Sequence, residues 1–465
     1  MNKSSLLPAV AIAWLGLGGP YAVGATDSTP PEKSSLRRWA EQDYLFGDWG
    51  GLRRELSEHG VDFEFFYAGS MPDNLSGGLR SGAIYQGGLL MALDLDSEKL
   101  LGYEGGTLQV SGLWLHGHKP FSAEYVGDLN RVNLLDFDDT ARFWEYWYQQ
   151  KFCNNRLALK VGKLSIDRDF IVPEYYGTLG DAPLVNQTFF FPTLPFDLFD
   201  IPGLPSHGHG LATTPLSAPG ALLRWNVTER TYLQAGAYGG NPDQSYSGSR
   251  FDLSADGGML NFFELGVNWN RATNQPALGG SLKIGGYYHT GDFGDVYDGV
   301  TWAAFTEAGY PEPPVRKRSG TYGAYLLAEQ QLFLEQGKAD PARQGLLGFF
   351  RLLGAPADRN LAQLQVDGGL VFRGLIPTRD WDTLAFAVSY LAISDDIRHA
   401  QRDLNLLAPG TFVVADHETA LELSYKIQAT AWWTLQPSLQ HVIHPGGSAA
   451  TPDATVFILQ STLRF

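Results

Sequence analysis

Segments of strand length in which apolar and polar residues alternate are the feature that most constrains the fold of this 465-residue chain. One such segment runs from Phe263 to Trp269, and another runs from Leu421 to Ile427. Because successive side chains of a β-strand point to opposite faces, each segment predicts a strand with one apolar and one polar face. A soluble β-sandwich would show the same alternation, so a single strand does not distinguish a sandwich from a membrane barrel.

The lengths of the connections between these segments are more selective. We predict sixteen strands, at 61–70, 88–95, 106–116, 142–151, 157–163, 221–226, 232–238, 262–270, 281–290, 320–331, 345–353, 363–373, 384–391, 418–427, 432–442 and 455–465. Short and long links alternate: 152–156 is short, whereas the next link, 164–220, has 57 residues. An outer-membrane barrel has short periplasmic turns and long external loops in this order. The link 354–362 departs from the pattern because it is short where a long one is expected.

The beginning of the chain predicts export. Lys3 supplies a positive charge, residues 6–19 are mostly apolar, and Val23-Gly24-Ala25 is a small-residue cleavage site. This is the pattern of a secretory signal peptide, and the apolar run is shorter than the ~20 residues that a membrane-spanning helix needs. We therefore expect a signal peptide at 1–25, a lead-in with a short helix at 26–60, and a barrel at 61–465.

Composition narrows the class of protein further. The chain has 12 Trp, 21 Tyr, 27 Phe and 54 Gly, but one cysteine, Cys153, which excludes an internal disulfide. Aromatic girdles in contact with outer-membrane lipids require such rings. The net charge of −16 argues against nucleic acid as a partner. We predict an all-β fold, a transmembrane antiparallel β-barrel of about sixteen strands, with a long external loop folded inward and no cofactor.

Several motifs give the chain a resemblance to the OprB-type carbohydrate-selective porin family. They are GDWGGLR at 47–53, FWEYWYQQ at 143–150, LKVGK at 159–163, PLSAPG at 215–220, 323–330, GGL at 368–370, LELSY at 421–425, LQPSLQ at 435–440 and PGG at 445–447. The resemblance implies a sixteen-stranded sugar channel, an N-terminal helix near the periplasmic mouth, and external loops that narrow the pore. The proline-rich stretch 189–208 departs from the family pattern, which leaves the identity of the solute open.

Eight residues in the lumen-facing phase of their strands are candidates for lining the pore and contacting solute. They are Glu145, Trp147, Lys160, Arg224, Glu264, Lys283, Arg351 and Asp367. Polar groups can replace water on sugar hydroxyls, and flat rings can stack on sugar rings, provided that binding is weak enough for release. The alternative is that each charge pairs with a neighbour and stiffens the wall. Lumen-phase Tyr238, Tyr287 and Tyr325 are expected to fill space against the internal loop rather than to bind sugar.

Three functions are compatible with such a barrel. The first is a passive porin for small polar solutes, preferably sugars, working as a monomer or a homotrimer. The second is a channel for sugar acids or other small organic anions, selected by cations such as Lys160 and Arg224. The third is a lipid-modifying barrel enzyme, for which the outward Ser461 lacks an evident histidine partner. His207 and His209 could bind a metal ion, but no third ligand lies near them, so no metal site is predicted.

Overall fold

The computed structural model describes residues 35–117, 120–177, 181–196, 211–254, 256–270, 278–309, 315–335 and 344–465. Its strands, in chain order, are β1 (Val61–Ser76), β2 (Gly82–Ala83), β3 (Gln86–Asp96), β4 (Gly106–Gly117), β5 (Thr140–Phe152), β6 (Leu157–Leu164), β7 (Ala218–Asn226), β8 (Thr231–Gly239), β9 (Met259–Trp269), β10 (Gly280–Gly294), β11 (Lys317–Leu334), β12 (Gly345–Gly354), β13 (Ala362–Arg373), β14 (Thr383–Ile393), β15 (His417–Thr430), β16 (Trp433–Ile443) and β17 (Ala454–Arg464). The two-residue strand β2 pairs with the end of β1, and the other sixteen strands build the barrel.

The sixteen long strands form a closed antiparallel ring. Each pairs with its neighbour in the chain, and β1 pairs with β17, so that Tyr67 lies opposite Leu463. Closure leaves no unpaired sheet edge toward the lipid, which a membrane barrel requires. Each of the sixteen predicted segments coincides with one long strand, and the prediction of a sixteen-stranded barrel is confirmed. The exceptional short link is also real, because β12 and β13 are joined by residues 355–361.

Several strands extend beyond their predicted ends, most of them toward the long loops, although β11 and β15 also extend by three residues toward the short turns. For example, β1 continues to Ser76, and β10 and β11 stay paired up to Gly294 and Lys317. Backbone pairing does not require an apolar face outside the lipid, so the alternation of side chains ends before the strand does. Periodicity therefore predicted the membrane-embedded part of these strands and not the part above it.

The burial pattern is that of a barrel with a polar interior. On β16, Gln436 and Gln440 are buried, whereas Leu439 on the opposite face is exposed. A soluble protein would bury the leucine and expose the glutamines. In the described ranges, no helix is both long and apolar enough to cross a membrane.

The helices lie in the connections. They are α1 (Ser35–Glu41), α2 (Leu52–Glu58), α3 (Ser97–Leu101), α4 (Thr193–Phe196), α5 (Val296–Glu307) and α6 (Asp395–Leu407). The predicted short helix is α2, and Asp48 accepts a hydrogen bond from the Arg54 amide in its first turn. Helices α5 and α6 contact each other at the long-loop end, where the sequence predicted none. Two acids, Asp395 and Asp396, lie in the first turn of α6.

Candidate functional site: a loop held inside the barrel

The connection between β6 and β7, residues 165–217, is here called the inner loop. Its described part binds side chains of β5, β6, β8, β9, β10, β11, β12, β13, β15 and β16. A segment that reaches ten of sixteen strands of a closed ring must cross its lumen. The inward-folding external loop expected from the sequence is therefore present.

Two predicted glutamates hold the first turn of the inner loop by its main chain. A carboxylate oxygen of Glu145 accepts the Ser165 amide at 2.8 Å, and a carboxylate oxygen of Glu264 accepts the Ile171 amide at 3.2 Å. Glu264 also accepts hydroxyl hydrogen bonds from Tyr232 at 2.7 Å and Tyr325 at 2.9 Å. Both glutamates are buried, so they are anchors of the loop.

Two predicted lysines are neutralised by acids of the inner loop. Lys160 Nζ lies 2.9 Å from both carboxylate oxygens of Asp169, and Lys283 Nζ lies 3.1 Å from a carboxylate oxygen of Glu174. Lys160 Nζ also lies 4.6 Å from the centre of the Trp147 ring, which remains half-buried. The lysine charges therefore face the loop.

Arg351 and Asp367 pair with each other on the far wall. Their Nε–Oδ2 distance is 2.7 Å, both side chains are fully buried, and the Arg351 guanidinium also donates to the Thr188 carbonyl oxygen. Through the contact with Thr188, this pair also holds the inner loop. For these six charged residues, the structure matches the alternative in which lumen charges pair with neighbours.

Arg224 differs from the other predicted charges. Its guanidinium carbon lies 3.7 Å above the Tyr232 ring, and its hydrogen bonds to Asn226 and Gln234 are long, at 3.3 Å each. Neither partner is charged, and the side chain remains half-buried. Among the residues that the structure describes, Arg224 on the lumen face of β7 thus has no ion-pair partner.

Three further carboxylates on the barrel wall also accept hydrogen bonds from main-chain amides of the connections, and they were not among the residues predicted from the sequence. Glu329 accepts the amides of residues 174, 175 and 176 at 2.7, 2.8 and 3.1 Å. Glu422 accepts the amides of residues 185 and 186, and Glu418 accepts those of residues 129, 130 and 446. Glu422 lies between two leucines, but Glu329 is followed by a glutamine, and Glu418 lies between two polar residues, so periodicity marks Glu422 alone of the three. Their partners are main-chain amides, which have no sequence signature.

The described residues 120–139 of the connection between β4 and β5 also lie inside the barrel and pack beside β1 and β3. Asp136 accepts the Ser122 amide at 2.9 Å and the Gln86 side-chain amide at 2.8 Å. Asn133 donates to Gln86 at 2.6 Å and accepts from Ser70 at 3.1 Å. Two connections, rather than one, therefore narrow the lumen.

Two acids in these connections have pKa values that are shifted in opposite directions, one by burial and the other by neighbouring positive charges. Burial raises the pKa of Asp128 to about 7. Burial would also raise the pKa of Asp181, but Lys426 and Arg373 outweigh it and hold that pKa well below its usual range. Asp181 thus forms ion pairs with side chains of β13 and β15, whereas burial favours the protonated form of Asp128 by raising its pKa.

The lumen-phase tyrosines are packing groups. Tyr238, Tyr287 and Tyr325 are buried in the cluster around Phe170 of the inner loop, and the Phe170 and Phe262 rings are 5.0 Å apart. This agrees with the expectation that they fill space.

The two inward connections leave some charged groups accessible. On β1, Asp62 and Glu64 are exposed and alternate with the outward rings of Phe63 and Phe65. Arg168, on the inner loop, is 24% exposed, with its guanidinium carbon 5.3 Å above the Trp144 ring. The lumen therefore retains accessible groups of both signs.

Metal ligands do not gather in the part of the chain that the structure describes, where no group of three His, Cys, Asp or Glu side chains could hold an ion. His207 and His209 lie outside the described residues.

Comparison with known proteins agrees with this architecture. Porin B of Pseudomonas aeruginosa is 26% identical, over 98% of this chain and 97% of that protein. The putative porin QuiX of Acinetobacter baylyi is 22% identical, over 92% of this chain and 94% of that protein. The high-pH structure of Pseudomonas putida OprB superposes with a TM-score of 0.76 at 24% identity, covering 92% of this chain and 99% of that one. The model of the carbohydrate-selective porin OprB family matches residues 80–465, and the chain belongs to that family.

Proposed function

We propose that this protein lets small sugars cross the outer membrane by passive diffusion through the lumen that the inner loop narrows. The observation that carries the proposal is the anchoring of that loop to ten strands. A loop fixed at so many points gives a lumen of defined width, which can discriminate solutes by size without an energy source.

We further propose that the eight candidate residues divide into two groups. Glu145, Lys160, Glu264, Lys283, Arg351 and Asp367 position the inner loop. Arg224 and Trp147 contact solute, together with Arg168 and the acids of β1. A guanidinium and carboxylates can form hydrogen bonds with sugar hydroxyls, and a half-exposed indole can pack on a sugar ring.

Charge balance favours neutral sugars over anions. The cations Lys160, Lys283, Arg351 and Lys426 each face a carboxylate within an ion pair. A filter for anions requires cations that remain uncompensated. The described partners of Arg224 are all neutral, but the exposed Asp62 and Glu64 add charge of the opposite sign, so we expect weak ion preference and better passage of uncharged solutes.

The enzyme alternative receives no support from the outward serine. The Ser461 hydroxyl accepts a hydrogen bond from the Trp433 indole at 3.0 Å. His441, on the adjoining strand, lies opposite Thr455 rather than Ser461, and its ring is 3.1 Å from the Thr455 hydroxyl. A serine nucleophile requires a base within hydrogen-bonding reach, and a tryptophan cannot serve as one.

Planar bilayers test the proposal. Sugars of graded size should reduce single-channel current, and the reversal potential in a salt gradient should stay near zero. Arg224→Ala should change sugar block severalfold, because one polar contact contributes about 0.5–1.5 kcal/mol net. The matched control is Arg156→Ala, since Arg156 is exposed in the short turn between β5 and β6. A strong preference for anions together with no block by sugars would refute the proposed sugar channel and favour the anion channel.

A further inference from the structure

The motif at 47–53 lies at the short-turn end, where β1 meets β17. Each other pair of neighbouring barrel strands is joined directly by the chain. The β1–β17 pair is the exception, because nearly the whole sequence separates its partners. Bringing such distant segments together carries the largest loop-closure cost in the ring. The seam between β1 and β17 is therefore where additional contacts contribute most to closure.

Arg53 joins the two strands of this seam with one side chain. Its Nη1 donates to the main-chain oxygen of Phe465 at 2.7 Å, and its Nη2 donates to the carbonyl oxygen of Phe63 at 2.6 Å. The Tyr44 ring lies 3.6 Å from the guanidinium carbon, and the side chain is 8% exposed. A planar guanidinium can make both bonds at once, whereas a lysine ammonium lacks this fork.

Residues around Arg53 bind the same end of the barrel. The Leu45 amide donates to the Arg464 carbonyl oxygen at 2.8 Å. The Trp39 and Trp432 rings are 4.5 Å apart, and the Trp432 indole donates to the Trp39 carbonyl oxygen at 3.2 Å. These contacts surround the end of β17 and the adjoining turn before β16.

The glycines of the motif give this segment its shape. Gly47, Gly50 and Gly51 have φ values of +63°, +70° and +97°, a region that residues with a side chain rarely adopt. The backbone can thus reverse direction within a few residues and bring Arg53 to the rim. The motif is explained by this geometry rather than by contact with solute.

We propose that residues 39–53 form a seam clamp, an interaction surface whose partner is the paired end of β1 and β17. The clamp docks only when the two strands are paired, because its central arginine needs a carbonyl from each. It acts on the stability of the closed ring and takes no part in solute passage.

Thermal unfolding of the detergent-purified protein tests the clamp. Arg53→Ala should lower the midpoint by several degrees, and Arg53→Lys should lower it by nearly as much, while conductance stays unchanged. The control is Arg54→Ala, which removes the same charge from an exposed position of the same helix. Equal midpoints for Arg53→Ala and Arg54→Ala would overturn the proposal.

A cross-link locates the effect at the seam. In a Cys153→Ser background, the pair Ala68→Cys and Thr462→Cys would place a disulfide across β1 and β17, where these residues lie opposite each other. The control pair, Ala385→Cys and Ser424→Cys, bridges β14 and β15.

We expect the seam disulfide to restore the midpoint of Arg53→Ala, and the control disulfide to leave it low. If Arg53→Ala fails to assemble, recovery of folded barrel with the seam disulfide alone supports the clamp. Restoration by both disulfides, or by neither, would refute it.

Discussion

Glu329 offers the sharpest test of how the inner loop is held. This buried carboxylate of β11 accepts the amides of residues 174, 175 and 176, together with the Ser281 hydroxyl at 2.8 Å. Glu329→Gln keeps the shape but removes the charge and turns one oxygen into an NH₂ group that faces other N–H donors. Hydrogen bonds to charged groups contribute about 1.5–3 kcal/mol each. Losing two of them would cost roughly 3–6 kcal/mol locally.

Every 1.4 kcal/mol corresponds to about tenfold in an equilibrium constant, so local opening of residues 174–176 should rise by roughly 10²-fold or more. Hydrogen–deuterium exchange of peptides covering these residues measures this directly, and single-channel recordings should show larger current noise. The barrel strands should keep their protection, because their backbone bonds are unchanged. Glu229→Gln, in the exposed turn between β7 and β8, is the control. Unchanged exchange at 174–176 in Glu329→Gln would show that this carboxylate does not hold the loop.

Three further predictions concern the ends of the chain and its pH response. The mature protein should begin at Thr26, and an intact mass that retains residues 1–25 would contradict this. Phe465→Ala should reduce assembled barrel in membranes without altering conductance, because Phe465 packs on Phe46 at the rim. Burial raises the pKa of Asp128 from 3.8 to about 7, so its loop loses stability as pH rises through that window. Conductance should differ between pH 5 and 8, and Asp128→Asn should abolish the difference.

The positions of the strands, and the residues of each strand that face the lumen, could be predicted from the sequence because lipid imposes an apolar outer face on each strand. The same constraint identified Glu264 and Lys160 as lumen residues, but it could not show that Ser165 and Asp169 would meet the wall there. Glu329 went unrecognised because its partners are amides about 155 positions away, and every residue except proline carries an amide.

Helices α5 and α6 in the long connections were not predicted from the sequence, and the reason differs between the two. Helix α6 begins at an N-cap, Ser394, whose hydroxyl accepts the Asp396 amide, and this signal is readable in the sequence. Helix α6 also has an apolar stripe, because Ile397, Ala400 and Leu404 lie at i, i+3 and i+7 and are buried, so its sequence carried a helix signal that the prediction overlooked. Its partner α5 shows no clear polar face in its sequence, so only the contact between the two helices in three dimensions identifies the pair.

Anchoring through main-chain amides has an evolutionary consequence. Glu329 and Glu422 recognise backbone positions, so substitutions at residues 174–176 and 185–186 leave those bonds available unless proline is introduced. The loop can therefore accumulate changes in its side chains while its path through the barrel is preserved. Substitutions in the loop alone could thus change which solutes the channel admits, while the sixteen strands remain unchanged.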